Sequence, residues 1–507
     1  MQALQKNNEL ICAVQYLEKA HELQPDNADV LVNLGSLHLQ LGYLRAAESN
    51  LRKALQIKPD EASAYSLLGN VLKRLGKFAD AVASHKQAVS LMPSSAEMRS
   101  NLASAYLSLD KIDFAIEEYR KAVSMQPDSA ELHFNLATAL QKGERYEEAC
   151  SSFETALKLN PGHARANMNF GASLRALGKP GEAIVYLRRA TGIEPDYADA
   201  HWNLALALLM SGDYHSGWKE YEWRLKIPDI PIRKFSQPLW DGSVQPDKTL
   251  LIHAEQGMGD TIQFVRFATI ARTRVGRIIL YCHPPLRRLL SNVQGVDKIV
   301  TAGQPLPEFD IQLPLLSLPG VLEITLENIP RMPYLHAAGS LKDKWHSRLS
   351  SNKFKVGLVW AGNPIHKDDH NRSCKLSDFT RLLKTPEVIF YSLQRENADA
   401  SSIGRPEELN LIDTGAELTD FADTAALIAN LDLVISVDTA AAHLAGALGR
   451  SVWILIPFAP DWRWMLARAD TPWYPSMRIF RQSRAGDWEG VMASVEEALK
   501  ELKELKS

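Results

Sequence analysis

Cysteine is scarce in this chain: four residues in 507, Cys12, Cys150, Cys282 and Cys374, lie far apart with no C-x-x-C pair. That excludes a disulfide framework for a chain of this size and fits a reducing compartment. No apolar run approaches the length that spans a bilayer, and the start, MQALQKNNEL, lacks the basic-then-apolar order of an export signal. A surplus of positive charge is missing too: 57 Lys and Arg against 60 Asp and Glu leave a net charge of -3, with the basic residues spread along the chain. Such a balance does not draw in nucleic acid. The expectation is a cytoplasmic protein that neither inserts in a membrane nor binds nucleic acid. What the chain does have is length and apolar content, since 507 residues at 46% hydrophobic fill more than one domain.

A strict repeat organises the first half. Pro25, Pro59, Pro93, Pro127, Pro161 and Pro195 each follow the last by 34 residues. That is the tetratricopeptide period. Small residues recur where two helices of a unit must approach: Ala47, Ala81, Ala115, Ala149 and Ala183 in one column, Ala54, Ala88, Ala122, Ala156 and Ala190 in another. A third column holds Gly35, Gly69, Ala103, Ala137 and Gly171. Each proline follows the second helix of its unit, where a residue without an N–H cannot continue the helix. Counting back, Met1 stands where the first glycine-column residue belongs, so the array is expected to start in mid-repeat. At the far end Gly217 and Arg224 replace the alanines, and a capping helix is expected before the extended, proline-bearing KIPDIPIRKFSQPLW. The boundaries read as a repeat array over 1–226 and a linker over 227–248. One further column is chemically distinctive: Asn33, Asn101, Asn135, Asn169 and Asn203 share the sixth position of the first helix, with Leu67 the exception. A row of amides on a concave face offers donors and acceptors to the backbone of an extended peptide. The competing reading, that asparagine is simply a frequent neighbour of the packing leucine, stays open on sequence.

From Thr249 the period changes. TLLIHA, RIILYC, DKIV and FDIQL read as strands between the helical TIQFVRFATIAR and PPLRRLLSNV. After a polar separator, AAGSLKDKWHSRLSSNK, the strands KVGLVWAG, VIFYSLQ, LNLID, DLVISV and SVWILIP alternate with the helices TDFADTAALIANL and TAAAHLAGALG, and AGDWEGVMASVEEALKELKELK closes the chain as an amphipathic helix. Alternation of this kind predicts parallel sheets with helices on their faces. Two Rossmann-like halves follow, 249–340 and 341–507, and open parallel sheets bind ligands beyond the carboxyl ends of their strands.

The turn AEQGMGDT lacks the third glycine and later acid of a dinucleotide fingerprint, and the Lys-Ser/Thr ending of a phosphate loop. GMGDTIQF instead resembles the G-x-G-D turn of bacterial heptosyltransferases, and SVDTAAAHLAGALGRSVWILI is similar to their D-[ST]-G-x-x-H-x-A-x-A-x-G segment. Ala440 stands where that family has glycine. The resemblance covers most of 249–500 and implies a GT-B glycosyltransferase whose first half takes the acceptor and whose second half takes a nucleotide-sugar, with no separate cofactor. The layout is also similar to O-linked N-acetylglucosamine transferases, whose repeats carry an asparagine ladder, and to bacterial flagellin glycosyltransferases.

Read from the residues, Asp260 follows a tight turn with Gly257 and Gly259, both counted with the donor-binding residues, and opens a helix, where it can take a proton from an acceptor hydroxyl or merely cap the helix. The resemblance implies the base. Asp438 and Thr439 end an apolar strand and open another helix, whose N–H groups and the Thr439 hydroxyl suit a diphosphate. Asp438 itself repels one and is read as a partner for a sugar or ribose hydroxyl, or as orienting the turn. His443, one turn on, is either a donor to phosphate or a satisfied core histidine. In WAGNPIHKDDHNRSCKL, Gly362 and Asn363 allow backbone approach to the donor. The resemblance implies a lysine here that steadies the departing diphosphate; of Lys367, Arg372 and Lys375, which could supply that charge, Arg372 is the first choice and Lys375 is kept beside it. His366, Asp368, Asp369 and His370 lie on a loop without i, i+4 spacing, so no metal is expected. The Trp- and Arg-rich PFAPDWRWMLARADTPWYPSMRIFRQ could stack on a base or sugar, but is read first as packing of the seam between halves.

Two classes of function follow: an inverting, metal-independent transfer of a sugar to a protein held by the repeats, or a scaffold whose transferase half has degenerated. A saccharide or lipid-linked acceptor is a third reading.

Overall fold

The computed structural model describes residues 2–230, 232–349, 351–394 and 410–504. They form two compact units, Met1–Leu177 with Val185–Pro195, and Gly178–Ile184 with Asp196–Ser507. Among the described residues no helix is long and apolar enough to cross a membrane.

The first unit stacks antiparallel helix pairs: α1 (Gln2–Leu23), α2 (Ala28–Leu41), α3 (Leu44–Ile57), α4 (Ala62–Arg74), α5 (Phe78–Leu91), α6 (Ala96–Ser108), α7 (Ile112–Met125), α8 (Ala130–Lys142), α9 (Tyr146–Leu159) and α10 (Ala164–Ala176), with α11 (Pro180–Ile193) divided between the units. Helix starts are set by side-chain caps where the sequence supplies them. Asn27 Oδ1 accepts the Asp29 and Val30 N–H groups, and Ser95 and Ser129 accept those of Met98 and Leu132. Both alanine columns are fully buried. The glycine column is demanded by the partner helix: a Cβ on Gly35 would lie 2.6 Å from Leu51 Cγ, and one on Gly69 2.5 Å from His85 Nε2. Even-numbered helices also touch the even-numbered helices of adjacent pairs, so they line the inner side of the stack. Asn33, Asn101, Asn135 and Asn169 all lie on these helices.

The second unit opens with α12 (Ala198–Met210) and α13 (Tyr214–Tyr221), followed by a 3-10 turn over Glu222–Lys226. On sequence this pair belongs with the repeats, but it folds into the core of the second unit. Leu209, Tyr214, Trp218 and Tyr221 share one apolar cluster with Trp240, Phe264, Trp462 and Trp473, and Trp218 Nε1 donates to the Ile324 carbonyl at 2.9 Å. Large aromatic side chains at this end of the array supply the burial that the alanines supply elsewhere.

Two parallel sheets follow. The first holds β1 (Gln245–His253), β2 (Val275–Cys282), β3 (Lys298–Thr301) and β4 (Ile311–Pro314) in the order β3-β2-β1-β4, with α14 (Met258–Phe264), α15 (Ala268–Arg272), α16 (Arg287–Leu290) and α17 (Leu318–Val321) between and after the strands. α18 (Gly339–Arg348) occupies the polar separator; Trp345, 1% exposed, gives that stretch the buried anchor its composition hides. The second sheet holds β5 (Phe354–Val359), β6 (Val388–Ser392), β7 (Leu411–Asp413), β8 (Leu433–Val437), β9 (Val452–Ile456) and β10 (Met477–Arg481), ordered β10-β9-β8-β5-β6-β7. Its helices are α19 (Asp369–Arg372), α20 (Phe421–Ile428), α21 (Ala440–Ala447) and α22 (Trp488–Glu504). β8 and β9 are buried along their whole length, as expected of central parallel strands. β10 lies inside the Trp- and Arg-rich segment, where alternation with arginine masks the strand pattern.

Candidate functional site

β1 delivers the chain to a turn, Ala254 to Gly257, at the head of α14. Asp260 sits in the first turn of that helix, and its Oδ2 accepts the Gly257 N–H at 2.8 Å. Capping is therefore one of its jobs. Its Oδ1 accepts a hydrogen bond from Arg463, which the second sheet's half contributes. Arg463 Nε donates to Gln263 Oε1 at 2.6 Å and Nη1 to Asp461 Oδ1 at 2.8 Å.

β8 ends at Val437, so Asp438 and Thr439 stand at the carboxyl edge of the second sheet. Asp438 Oδ2 accepts the Trp464 indole N–H at 2.8 Å. Burial, and then the neighbouring Asp461 carboxylate, push the Asp438 carboxyl up to about 6. It is mostly ionised at pH 7 and takes a proton below 6. Thr439 is the N-cap residue of α21, with its hydroxyl 3.0 Å from Ser436 Oγ. His443 is 5% exposed, with Nδ1 2.9 Å from the Tyr474 hydroxyl and Nε2 3.9 Å from Asp438 Oδ1. Burial and the charges of Arg463, Arg266 and Arg372 hold its pKa well below the usual imidazole value. It is neutral at pH 7 and offers no positive charge.

Asp260 and Asp438 thus meet around one 3-10 turn, Trp462–Trp464, through Arg463 and Trp464. Both residues lie in the segment read on sequence as seam packing. Trp462 and Trp464 do pack there, but the polar groups of the turn hold the two aspartates. An arginine amid tryptophans was the available signal, because a buried guanidinium requires an acceptor.

The glycines are explained by close approach. A Cβ on Gly259 would sit 3.1 Å from His443 Cδ2 and 3.5 Å from Ala440 Cα, so α14 lies directly against the first turn of α21. On Gly257 it would lie 3.1 Å from Asp260 Oδ2. A Cβ on Gly362 would lie 2.5 and 2.6 Å from Asp369 Oδ1 and Arg372 Nη2, so both side-chain ends would have to shift. Arg372 Nε donates to Asp369 at 3.1 Å, and its charge acts on Asp438 and His443. Of the basic residues of this loop it is the one brought toward the strand end. Lys367, Lys375 and Asn363 are exposed, Asn363 Oδ1 accepting the Ile365 N–H at 3.1 Å. Asp369 to Arg372 form a helical turn in a stretch expected to be loop. Among the described residues no group of three or more His, Cys, Asp or Glu is placed to hold a metal ion.

Behind Asp260, Arg224 and Glu255 form an ion pair at 2.8 Å with both side chains fully buried, and Arg224 also donates to Ser317 Oγ at 2.7 Å. This pair ties the 3-10 turn after α13 to the turn that leads into α14. The asparagine row divides: Asn33, Asn101, Asn135 and Asn169 belong to the first unit and Asn203 to the second. Asn101 Nδ2 donates to Ser66 Oγ at 3.2 Å, joining neighbouring repeats, and Asn203 Nδ2 donates to the Asp199 carbonyl at 2.9 Å.

Tetratricopeptide repeat models match residues 1–161, 134–193 and 169–216. The glycosyltransferase family 9 (heptosyltransferase) model matches residues 409–455, the stretch from β7 through α21 into β9. Protein FlbA of Caulobacter vibrioides is 28% identical over 327 residues, 59% of this chain and 54% of that protein. The chain spans about half the length of this relative. Among solved structures, YrrB, described as a TPR protein with an unusual peptide-binding site, is 24% identical with a TM-score of 0.32, over 36% of this chain and 95% of that one. A thermophilic TPR protein of Thermus thermophilus is 22% identical with a TM-score of 0.31, over 36% and 99%. The chain joins tetratricopeptide repeats to an α/β region of which residues 409–455 match the glycosyltransferase family 9 (heptosyltransferase) model, a match that supports a glycosyltransferase at the level of the family.

Proposed function

We propose that the chain transfers a sugar from a nucleotide-sugar to a protein acceptor recruited by the repeats. The observation that carries the reading is the meeting of Asp260, at the head of α14, with Asp438 and Thr439, at the end of β8, around a single turn. Open parallel sheets bind ligands at that edge of their strands. Asp260 takes the proton of the acceptor hydroxyl as its oxygen attacks the anomeric carbon, and the nucleoside diphosphate leaves from the opposite face with inversion. Arg372 and the first-turn N–H groups of α21 receive its charge, without a metal ion, on a fold of GT-B type. Asp438 binds a hydroxyl of the sugar or ribose. The asparagines of the even-numbered helices hold the acceptor backbone.

A thermal-shift scan of the whole chain against UDP, ADP, GDP, dTDP, CMP and their sugar conjugates tests the donor half. Stabilisation by one nucleotide, lost in Asp438→Ala, is expected. Silence across the panel refutes it. One observation favours the scaffold reading instead: Gly259 packs against Ala440 and His443, on the same first turn of α21 to which the donor reading assigns the diphosphate. In that case no nucleotide binds and acceptor binding alone survives.

A further inference from the structure

Asp260 is held from both halves of the α/β region, by the Gly257 N–H of its own and by Arg463 of the other. Each carboxylate oxygen has two lone-pair directions. One on Oδ2 is used by the Gly257 N–H at 2.8 Å and one on Oδ1 by Arg463. Two remain for an incoming hydroxyl. Arg463 cannot drift, because its Nε is taken by Gln263 Oε1 at 2.6 Å and its Nη1 by Asp461 Oδ1 at 2.8 Å. A planar guanidinium held at two nitrogens fixes the direction of the third.

The turn that carries Arg463 is itself over-determined. Asp461 Oδ1 accepts the Arg463 backbone N–H at 3.0 Å, and the Trp464 indole is bound to Asp438 at 2.8 Å. Met465 follows at a φ of 48°, a region that glycine enters freely and methionine rarely. Arg481 holds this strained corner by donating to the Trp464 and Met465 carbonyls at 3.2 and 2.8 Å. Non-glycine residues persist in such conformations where the surroundings enforce them, and they cluster at working sites.

We propose that Arg463 is the positioning residue of the transferase site, fixing the Asp260 carboxylate so that its free lone pairs face the acceptor hydroxyl. This rests on the reading of Asp260 as the base. Arg463→Ala is expected to lower kcat about 100-fold, the scale of a roughly 1 Å misplacement of a reacting group, while donor affinity stays unchanged. Guanidinium ion added to that variant should restore part of kcat, which lost packing alone does not permit. Arg463→Lys should recover little, because an ammonium cannot hold Gln263, Asp461 and Asp260 together. Arg463→Gln, which keeps part of the stem and a polar end but falls short of Asp260, is the second variant should Arg463→Ala not fold. The donor is whichever UDP-, ADP-, GDP-, dTDP- or CMP-sugar the wild-type chain transfers or hydrolyses. If it acts on none, the transferase reading fails by itself, and the proposal is judged on crystal structures, where Arg463→Ala must release Asp260 from its present rotamer. An unmoved Asp260, a kcat within twofold of wild type, or donor affinity lost in step with kcat overturns the positioning role.

Discussion

Replacing His85 by leucine should make the repeats more stable and less sensitive to acid. Its column, 34 residues apart, reads Leu51, His85, Tyr119, Phe153 and Leu187, all buried, and His85 is 0% exposed. Neither ring nitrogen has a hydrogen-bond partner among the described residues. Burial, assisted by the nearby charge of Lys73, lowers its pKa from 6.5 to about 4. The sign follows from proton counts: between those values the unfolded chain holds a proton that the folded chain does not, so acid favours unfolding. Across that window the loss amounts to about 3 kcal/mol. At pH 7 the ring is neutral in both states, and leucine there removes only the desolvation of unmet nitrogens, about 1–3 kcal/mol. Leucine fits, because the equivalent unit already packs Leu51 against Gly35, where an added Cβ would lie 2.6 Å away, as one on Gly69 would lie 2.5 Å from His85. Thermal melts followed by circular dichroism at 222 nm, for wild type and His85→Leu from pH 7.5 to 4.5, separate this histidine from every other group common to both. The variant's advantage should grow as pH falls. An advantage independent of pH, or a less stable variant, would refute the reasoning.

Asp260→Ala should reduce transfer by about 10²–10⁴, the range for a general base, and lower stability by about 1 kcal/mol for the lost cap and a further roughly 1.5–3 kcal/mol for the hydrogen bond it accepts from Arg463; retained turnover would leave Asp260 a structural residue alone. Asn135→Ala with Asn169→Ala should raise KM for a protein acceptor and spare donor hydrolysis, and unchanged acceptor affinity would refute the peptide-holding role of the row. Arg224→Ala strands the buried Glu255 carboxyl, whose pKa burial already raises, and should destabilise by about 3–5 kcal/mol; denaturant titration within 1 kcal/mol of wild type would contradict the buried-pair account.

The repeats were legible because a 34-residue period leaves its mark in every unit: prolines where helices must stop, alanines and glycines where they must touch. The strands of both sheets were legible for a related reason, since a parallel strand covered on both faces has to be apolar throughout, as LVISV and VWILI are. Local chemistry likewise placed Asp260 and Asp438 at helix starts after strands. Those features are determined by the chain's own neighbours along the sequence. The partners of the two aspartates are not: Arg463 lies 203 residues from Asp260, and only the approach of the two sheets brings them together. For the same reason α12 and α13 reads as one more repeat, yet its aromatic face is buried with Trp462 and Trp473 in the core of the second unit. At Gly259 a Cβ would press on His443 and Ala440, a clearance between α14 and α21 that only the folded chain reveals. Periodicity and burial are written in the order of residues, whereas the pairing of charges across a cleft depends on distances that only the folded chain sets.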